Sequence, residues 1–338
     1  MSEIDDILAA ADDALARNEP VALATVVAVR GSSYRRPGAR LLVPADGRPV
    51  GLISGGCLEE EAARLAREAL RLDAPIIVTV DHSAEGDELW GIGLGCRGVV
   101  ELLAEPPSMA AGTLAALRAA RDGAPSYLLT ELGGDRRELA EAEAVALGER
   151  AAAAVRRGQP VRIGETVLDP ILPPLHLVIC GAGPDAPPLA AAGARLGWRV
   201  TVVDPRRSLL RADRFPGSTL LDAEPANAAA AVNADEWTAA VLMSHDYLRD
   251  GEFLSGFLGR RVGYLGILGP RDRTERLLAE SGASLTEADR AMLHAPAGLD
   301  IGADGSEQVA TAIVAEIVAS LHGRAGGRLR ERPGPIHS

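Results

Sequence analysis

The sequence predicts an α/β protein in two parts, an N-terminal mixed α/β domain followed by a C-terminal doubly wound parallel sheet domain. Three observations predict it. Apolar runs of strand length alternate with helical patterns along most of the chain. The alternation becomes most regular after a proline cluster at Pro170, Pro173 and Pro174. Just beyond it, a strand runs straight into a glycine turn and then a helix, through Gly181-Ala182-Gly183-Pro184-Asp185-Ala186.

In chain order, Ile4, Ile7, Leu8, Ala11 and Leu15 recur at helical spacing and predict an amphipathic helix over 3–17. Residues 21–29 form an apolar strand, and strands over 39–43 and 49–54 flank Asp46-Gly47, a hairpin signal. Gly55-Gly56 breaks the pattern before a helix over 58–71, and a strand over 76–80 follows. A glycine-laced loop over 91–98 leads into a strand over 99–103, then a helix near 109–121 and a strand over 126–130. Residues 140–157 read as one Ala-rich helix, with a short hairpin near 161–168. In the C-terminal part, strands are expected over 175–180, 199–203, 218–221, 239–243 and 262–268, with helices between them and a last helix over 306–321. The expected organisation is a domain over 1–135, a linker over 136–174, a sheet domain over 175–321, and a disordered Arg/Gly/Pro-rich tail over 322–338.

Composition narrows the function. The 338 residues carry 35 Lys+Arg against 47 Asp+Glu, a net charge of −12, which argues against nucleic-acid binding. Every cation is an arginine, so a Schiff-base lysine, a P-loop lysine and a Tyr/Lys proton relay are excluded. Three widely spaced cysteines, Cys57, Cys96 and Cys180, argue against a disulfide scaffold and point to a reducing cytoplasm. The N-terminus lacks a signal-peptide pattern, and no apolar run has the length of about 20 residues needed to span a bilayer.

The glycine turn has the G-x-G-x-x-A spacing of a Rossmann-like dinucleotide fingerprint. Gly181 permits the tight turn, Gly183 lets backbone approach a pyrophosphate, and the helix N-terminus favours the anion. The next strand ends in Asp204, 21 residues after Gly183, where an acid can accept from a ribose hydroxyl. Arg206 and Arg207 follow and offer forks for a phosphate, whereas Pro184 removes one N–H and Asp185 brings a negative charge to the turn. Two further loops are candidates at strand ends: Ser244-His245-Asp246 with nearby Asp250, and Gly269-Pro270-Arg271 with Arg273. His294 and Asp300 are expected to border the same crevice. Each competes with ordinary capping and loop hydrogen bonding.

Two thiols stand on glycine turns. Cys57 follows Ser54-Gly55-Gly56 at the start of a helix, where the helix dipole and turn amides favour thiolate, opposed by Glu59, Glu60 and Glu61. Cys96 closes Gly91-Ile92-Gly93-Leu94-Gly95 beside Arg97. Cys180 ends a strand and reads as a small core residue. The loop after the first strand holds Arg30, Ser32, Ser33, Tyr34, Arg35, Arg36 and Arg40, a set suited to a phosphorylated or polyoxygenated ligand.

Together these segments resemble the XdhC/CoxI family of xanthine dehydrogenase accessory factors. The resemblance rests on Gly31-Ser32-Ser33-Tyr34-Arg35-Arg36-Pro37-Gly38, Ser54-Gly55-Gly56-Cys57-Leu58-Glu59, Gly93-Leu94-Gly95-Cys96, Gly181-Ala182-Gly183, Asp204-Pro205-Arg206, Ser244-His245-Asp246, Gly269-Pro270-Arg271 and Gly298-Leu299-Asp300-Ile301-Gly302. Arg97 departs from the glycine usual after the second cysteine. The resemblance implies a chaperone rather than a catalyst. Its cargo is the molybdenum cofactor, as molybdopterin or its dinucleotide form, which it protects, helps to sulfurate and inserts into a molybdenum hydroxylase. It implies Cys57 and Cys96 at the metal, and Ser32, Ser33, Arg35, Arg36, Gly55, Gly56, Gly181, Gly183, Asp204, Arg206, His245, Asp246 and Arg271 around the cofactor. A cysteine desulfurase is a further expected partner, and a homodimer is admitted but carried by no motif. The competing reading from the residues alone is an NAD(P)-dependent oxidoreductase with His245 or His294 as its acid/base. A scaffold with an empty Rossmann fold is the third.

Overall fold

The computed structural model describes residues 3–31, 34–56, 58–81, 98–280 and 285–332. It falls into two compact units, divided between Pro173 and Pro174. The first contains α1 (Glu3–Ala16), β1 (Val21–Gly31), β2 (Arg40–Pro44), β3 (Val50–Gly51), α2 (Glu59–Leu72), β4 (Ile76–Asp81), β5 (Gly98–Glu105), α3 (Pro107–Arg121), β6 (Ser126–Glu131), β7 (Arg136–Leu139), α4 (Glu141–Ala146), α5 (Glu149–Arg157), β8 (Val161–Ile163) and β9 (Thr166–Ile171). A five-stranded sheet runs β3-β2-β1-β5-β4, antiparallel throughout. Successive side chains of a strand point to opposite faces. Ala22, Ala24 and Val26 of β1 therefore pack on Ala62, Ala66 and Ala69 of α2, while Val21 and Leu23 meet Ile7 and Leu8 of α1 and Leu114 and Leu117 of α3. Burial on both faces explains why β1 is an unbroken apolar run rather than an alternating one.

The segment 136–174 is no linker. It supplies three strands of a four-stranded sheet, β7-β6-β9-β8, in which β9 pairs along β6 from Ser126↔Ile171 to Glu131↔Thr166. Tyr127, Leu139, Val155 and Leu168 share one core beneath α5, and none of these elements could bury its apolar face alone. The single helix expected over 140–157 is broken at Gly148, whose φ of 116° is left-handed and cannot continue a helix. Ion pairs join the two sheets: Arg40 of β2 to Asp169 of β9, and Arg136 of β7 to Glu105 of β5, all largely buried.

The second unit contains β10 (His176–Cys180), α6 (Ala186–Arg195), β11 (Arg199–Val203), β12 (Thr219–Leu221), α7 (Ala228–Ala231), β13 (Thr238–Leu242), α8 (Tyr247–Phe257), β14 (Tyr264–Ile267), α9 (Arg271–Glu280), α10 (Glu287–Met292), β15 (Leu293–His294) and α11 (Ser306–Leu321). Its six strands are all parallel, in the order β12-β11-β10-β13-β14-β15. This is the doubly wound Rossmann order, with the reversal at β10/β13. Leu189 of α6 and Ile313 and Ile317 of α11 cover one face; Phe253 and Phe257 of α8 and Leu277 of α9 cover the other. The described chain beyond α11 continues to Arg332. It makes a helical turn at Leu329–Glu331, and Gly326 lies against Leu299, where a Cβ would come within 2.7 Å of that side chain.

Candidate functional site

In the first unit the chain leaves β3, passes Ile53 and Ser54, and turns at Gly55-Gly56 before α2. Ile53 and Leu58 are 1% and 4% exposed and both enter the core, so the two ends of the turn are pinned. Between them the Ser54 Oγ accepts from the N–H groups of Gly56 (3.1 Å) and Leu58 (3.0 Å) and donates to the Glu59 carboxylate. The Ser54 N–H donates to Glu59 Oε1 at 2.8 Å. Burial opposes the charge on Glu59, but the Ser54 hydroxyl and the N–H groups of Ser54, Glu59 and Ile53 outweigh it and hold the carboxyl below the usual carboxylate range. Gly56 has φ 111°, and among the described residues nothing lies within 4 Å of where a Cβ would stand. The Tyr34 ring lies across Gly55 at 3.7 Å from its would-be Cβ, and is itself 60% exposed. The structure therefore brings the loop after β1 to the cysteine turn. Cys57, Cys96, Ser32 and Ser33 lie outside the described residues.

The arginines of that loop are less available than the sequence suggests. Arg30 pairs with Glu101 at 3.0 Å, Arg35 with Glu3 at 2.5 Å, and Arg40 with Asp169. Glu3 also accepts from the Leu52 N–H at 3.1 Å, so Arg35 ties α1 to the strand-end that carries the turn instead of standing free. Turn amides are committed too: Gly56 and Leu58 give their N–H groups to Ser54, which leaves neither to stabilise a thiolate at Cys57.

In the second unit the carboxyl edge of the parallel sheet collects the loops after β10, β11, β13 and β14. Gly181 has φ 116°, and a Cβ there would stand 2.5 Å from Ser244 Cα. The first glycine is thus required by the approach of the β13 loop. Gly183 faces the His245 ring, whose Cδ2 would lie 3.1 Å from a Cβ. His245 takes a left-handed φ of 58°, and its Nε2 is 2.9 Å from Asp185 Oδ2. Asp185 also accepts from the Ser306 hydroxyl. The side of the turn where a dinucleotide would place its pyrophosphate therefore presents a carboxylate clasped by a histidine and a serine.

Asp204 does not stand ready for a ribose. It is fully buried, Oδ2 accepting from the Ala182 N–H (2.7 Å) and Arg206 Nη2 (2.7 Å), and Oδ1 from the Arg206 N–H (2.8 Å) and Nε (2.9 Å). Burial works against its charge, while the Arg206 guanidinium and these N–H groups more than compensate and lower its pKa. This corrects the expectation of a free ribose acceptor, and with Pro184 and Asp185 it removes the local support for NAD(P). Asp246 caps α8, accepting from the N–H groups of Leu248 and Arg249 at 3.1 Å each. Arg271 opens α9 and is exposed. Cys180 is buried in the core, and burial, helped by the negative charge of Asp250, drives its thiol well up.

Three sets of contacts, some among residues already named as candidates, escape local sequence reasoning. Arg214 donates to the carbonyls of Ala182 (2.9 Å), Gly183 (2.9 Å) and Leu209 (2.8 Å), fixing the glycine turn from 31 residues away. Buried Asp250 joins the Ser244 hydroxyl (2.6 Å) to Arg273 (2.7 Å). Ser54 and Glu59 form the brace already described; a serine upstream of a glutamate is a helix-start signal, disguised here by the inserted Gly-Gly. His294 stacks on Tyr264 and, with Tyr264, meets Glu316 of α11, which makes it part of the unit's own packing. Among the described residues no group of three His, Cys, Asp or Glu side chains is assembled for a metal, and no helix is long and apolar enough to cross a membrane.

Residues 14–81 match the model of the XdhC and CoxI family, and residues 177–317 match that of the XdhC Rossmann domain. A Bacillus subtilis (strain 168) protein, described as a probable component of xanthine dehydrogenase, is 30% identical over 321 residues, covering 91% of this chain and 95% of its own. The Escherichia coli (strain K12) molybdenum cofactor insertion chaperone PaoD is 28% identical over 316 residues, covering 93% and 87%. A crystal structure described as a xanthine dehydrogenase from Bacillus halodurans superposes with a TM-score of 0.76 at 28% identity, over 98% of both chains. With both units matched and the likeness running nearly end to end, the chain belongs to the XdhC and CoxI family.

Proposed function

We propose that this chain binds the molybdenum–pterin cofactor as cargo, helps its sulfuration, and delivers it to a molybdenum hydroxylase of the xanthine dehydrogenase or CO dehydrogenase type. The observation that carries the reading is the braced turn at Gly55-Gly56, next to Cys57 in the chain, uncovered at Gly56 by any of the described residues and within the matched family segment. The names of the relatives support it: one is a molybdenum cofactor insertion chaperone and another a probable component of xanthine dehydrogenase.

The donor chemistry fits the cargo. Thiolates are soft ligands suited to a thiophilic metal, and Cys57 and Cys96 are the residues assigned to it. Gly55 and Gly56 add no side chain to the turn, and Tyr34 offers an exposed ring for a pterin face. Ser32, Ser33 and Arg36 are assigned to the cofactor's polar edge, with Arg35 holding their loop through Glu3. In the second unit, taken by itself, exposed Arg271 is proposed for a phosphate, with Gly181, Gly183, His245 and Arg206 shaping the loops of that sheet edge. Asp204 and Asp246 support that edge through Arg206 and α8. The proposed setting is the cytoplasm, with a cysteine desulfurase as the sulfur source.

Native mass spectrometry of the purified protein, with molybdenum analysis alongside, tests this. The wild type should carry molybdenum and pterin, and Cys57→Ser or Cys96→Ser should lose most of both. Wild-type retention in both variants overturns the proposal.

A further inference from the structure

We infer that the His245 imidazole and the Ser306 hydroxyl form an anion-binding pair in the second unit, which the chain fills with its own Asp185 carboxylate and so closes to free phosphoryl groups. The inference goes beyond the cofactor-carrier reading and does not depend on it.

Asp185 stands immediately before the first residue of α6, where an aspartate ordinarily accepts from the amides two and three residues further on. Here those residues are Pro187 and Pro188, which have no N–H, and the Asp185 side chain makes no capping hydrogen bond. Its carboxylate is held from two other segments instead. Oδ2 lies 2.9 Å from His245 Nε2 in the loop after β13, and Oδ1 accepts from the Ser306 hydroxyl at the start of α11. An ionised carboxylate only accepts, so the imidazole and the hydroxyl both donate. Two side-chain donors from separate elements thus converge on one anionic group.

The surroundings suit an anion held by side chains. Arg214 donates to the carbonyls of Ala182 and Gly183, which brings a guanidinium to the same turn. His245 reaches Asp185 through a left-handed φ of 58°, a conformation with a cost for a residue bearing a Cβ, and Gly183 leaves room for its ring. In a glycine turn that binds pyrophosphate, backbone amides do the holding. Here the Gly181 N–H donates to the Val203 carbonyl (2.8 Å), the Ala182 N–H donates to Asp204 (2.7 Å), and Pro184 has no N–H. A phosphoryl group approaching this turn therefore meets a donor pair already in use and a charge of its own sign.

Calorimetric titration of the full-length chain with inorganic phosphate at neutral pH tests this. Asp185 has φ −83° and ψ −14°, which alanine adopts without strain, so Asp185→Ala vacates the pair and keeps the backbone. With its native melting transition kept, Asp185→Ala should bind phosphate at least about tenfold more tightly than the wild type. Adding His245→Ala should abolish that gain, which places the phosphate on the imidazole. Glu287→Gln, at an exposed position on α10, removes the same charge and should stay within about twofold of the wild type. The inference is overturned by an Asp185→Ala variant that binds no better than the wild type, by a gain that survives His245→Ala, or by an equal gain in Glu287→Gln. If the alanine variant loses its melting transition, Asp185→Gly leaves the same room and is titrated in its place. In the wild type, the imidazole NMR signals of His245 should stay fixed through the titration; a saturable shift would show the pair open and overturn the inference as well. Cofactor loss or retention in Cys57→Ser bears on none of these outcomes.

Discussion

Gly181 and Gly183 are equivalent letters of one motif, yet the fold uses them differently. An alanine at 181 would carry its Cβ to 2.5 Å from the Ser244 backbone and would have to hold φ 116°. Backbone cannot yield as a side chain can, so Gly181→Ala should destabilise the second unit by about 2–4 kcal/mol. At 183 the nearest atom is the His245 ring, at 3.1 Å, and an imidazole can swing. Gly183→Ala should therefore cost less than about 1.5 kcal/mol, while parting His245 from Asp185. Urea unfolding of the two variants checks the order; equal losses would remove the distinction. The motif was legible because its spacing is local. The neighbours that give each glycine its task were not: Ser244, His245 and Arg214 reach the turn from other loops of the sheet edge. The same holds for Asp204. Its position at a strand end is plain in the sequence, but its capture by Arg206 and the Ala182 N–H depends on how the chain folds back.

Elements with strong periodicity or unbroken apolar runs were readable: α1, β1, α2, and five of the six strands and the last helix of the second unit follow the sequence pattern closely. Those that failed share a cause. β15 is two residues long and has no pattern of its own; it exists because β14 offers Leu265 and Gly266 as an open edge. The hairpin near 161–168 was readable as β8/β9, but β7 and the docking of β9 lean on β6, a partner lying before them in the chain, so the segment by itself looks like a connector. Alanine raises helix propensity across 140–157 but says nothing of the left-handed Gly148 that divides it. At α8 the sequence does identify the responsible residue. Asp246 accepts from two amides of the first turn, so Asp246→Ala should lower stability by about 1 kcal/mol and Asp246→Asn by much less. Denaturant midpoints of the pair give the answer, and identical midpoints for the alanine variant and wild type would show that α8 starts without this cap.

Across each unit, stability depends on ionisable groups taken out of water. Arg40 and Asp169 have side chains only 9% and 10% exposed and join two sheets from opposite ends of the first unit's sequence. Removing one partner strands the other, so Arg40→Ala should cost about 3–5 kcal/mol, visible as a drop in the first unit's melting transition; a change under about 1 kcal/mol would mean that water reaches the pair. In the second unit the relevant group is His176, at the start of the central strand β10. Burial, with the nearby positive charge of Arg199, pushes its pKa down to about 4, against 6.5 for the free side chain. The folded state therefore binds the proton less readily than the unfolded one. The contribution is present in full above pH 6.5 and declines as the pH falls toward about 4. A difference of that size amounts to about 3 kcal/mol at most. His176→Gln removes the titration while leaving a polar group to meet the Thr201 hydroxyl, which lies 2.8 Å from the imidazole. Thermal unfolding from pH 7.5 to 4 should fall more steeply for the wild type than for His176→Gln. Parallel curves would locate the acid sensitivity of this unit in its carboxylates instead.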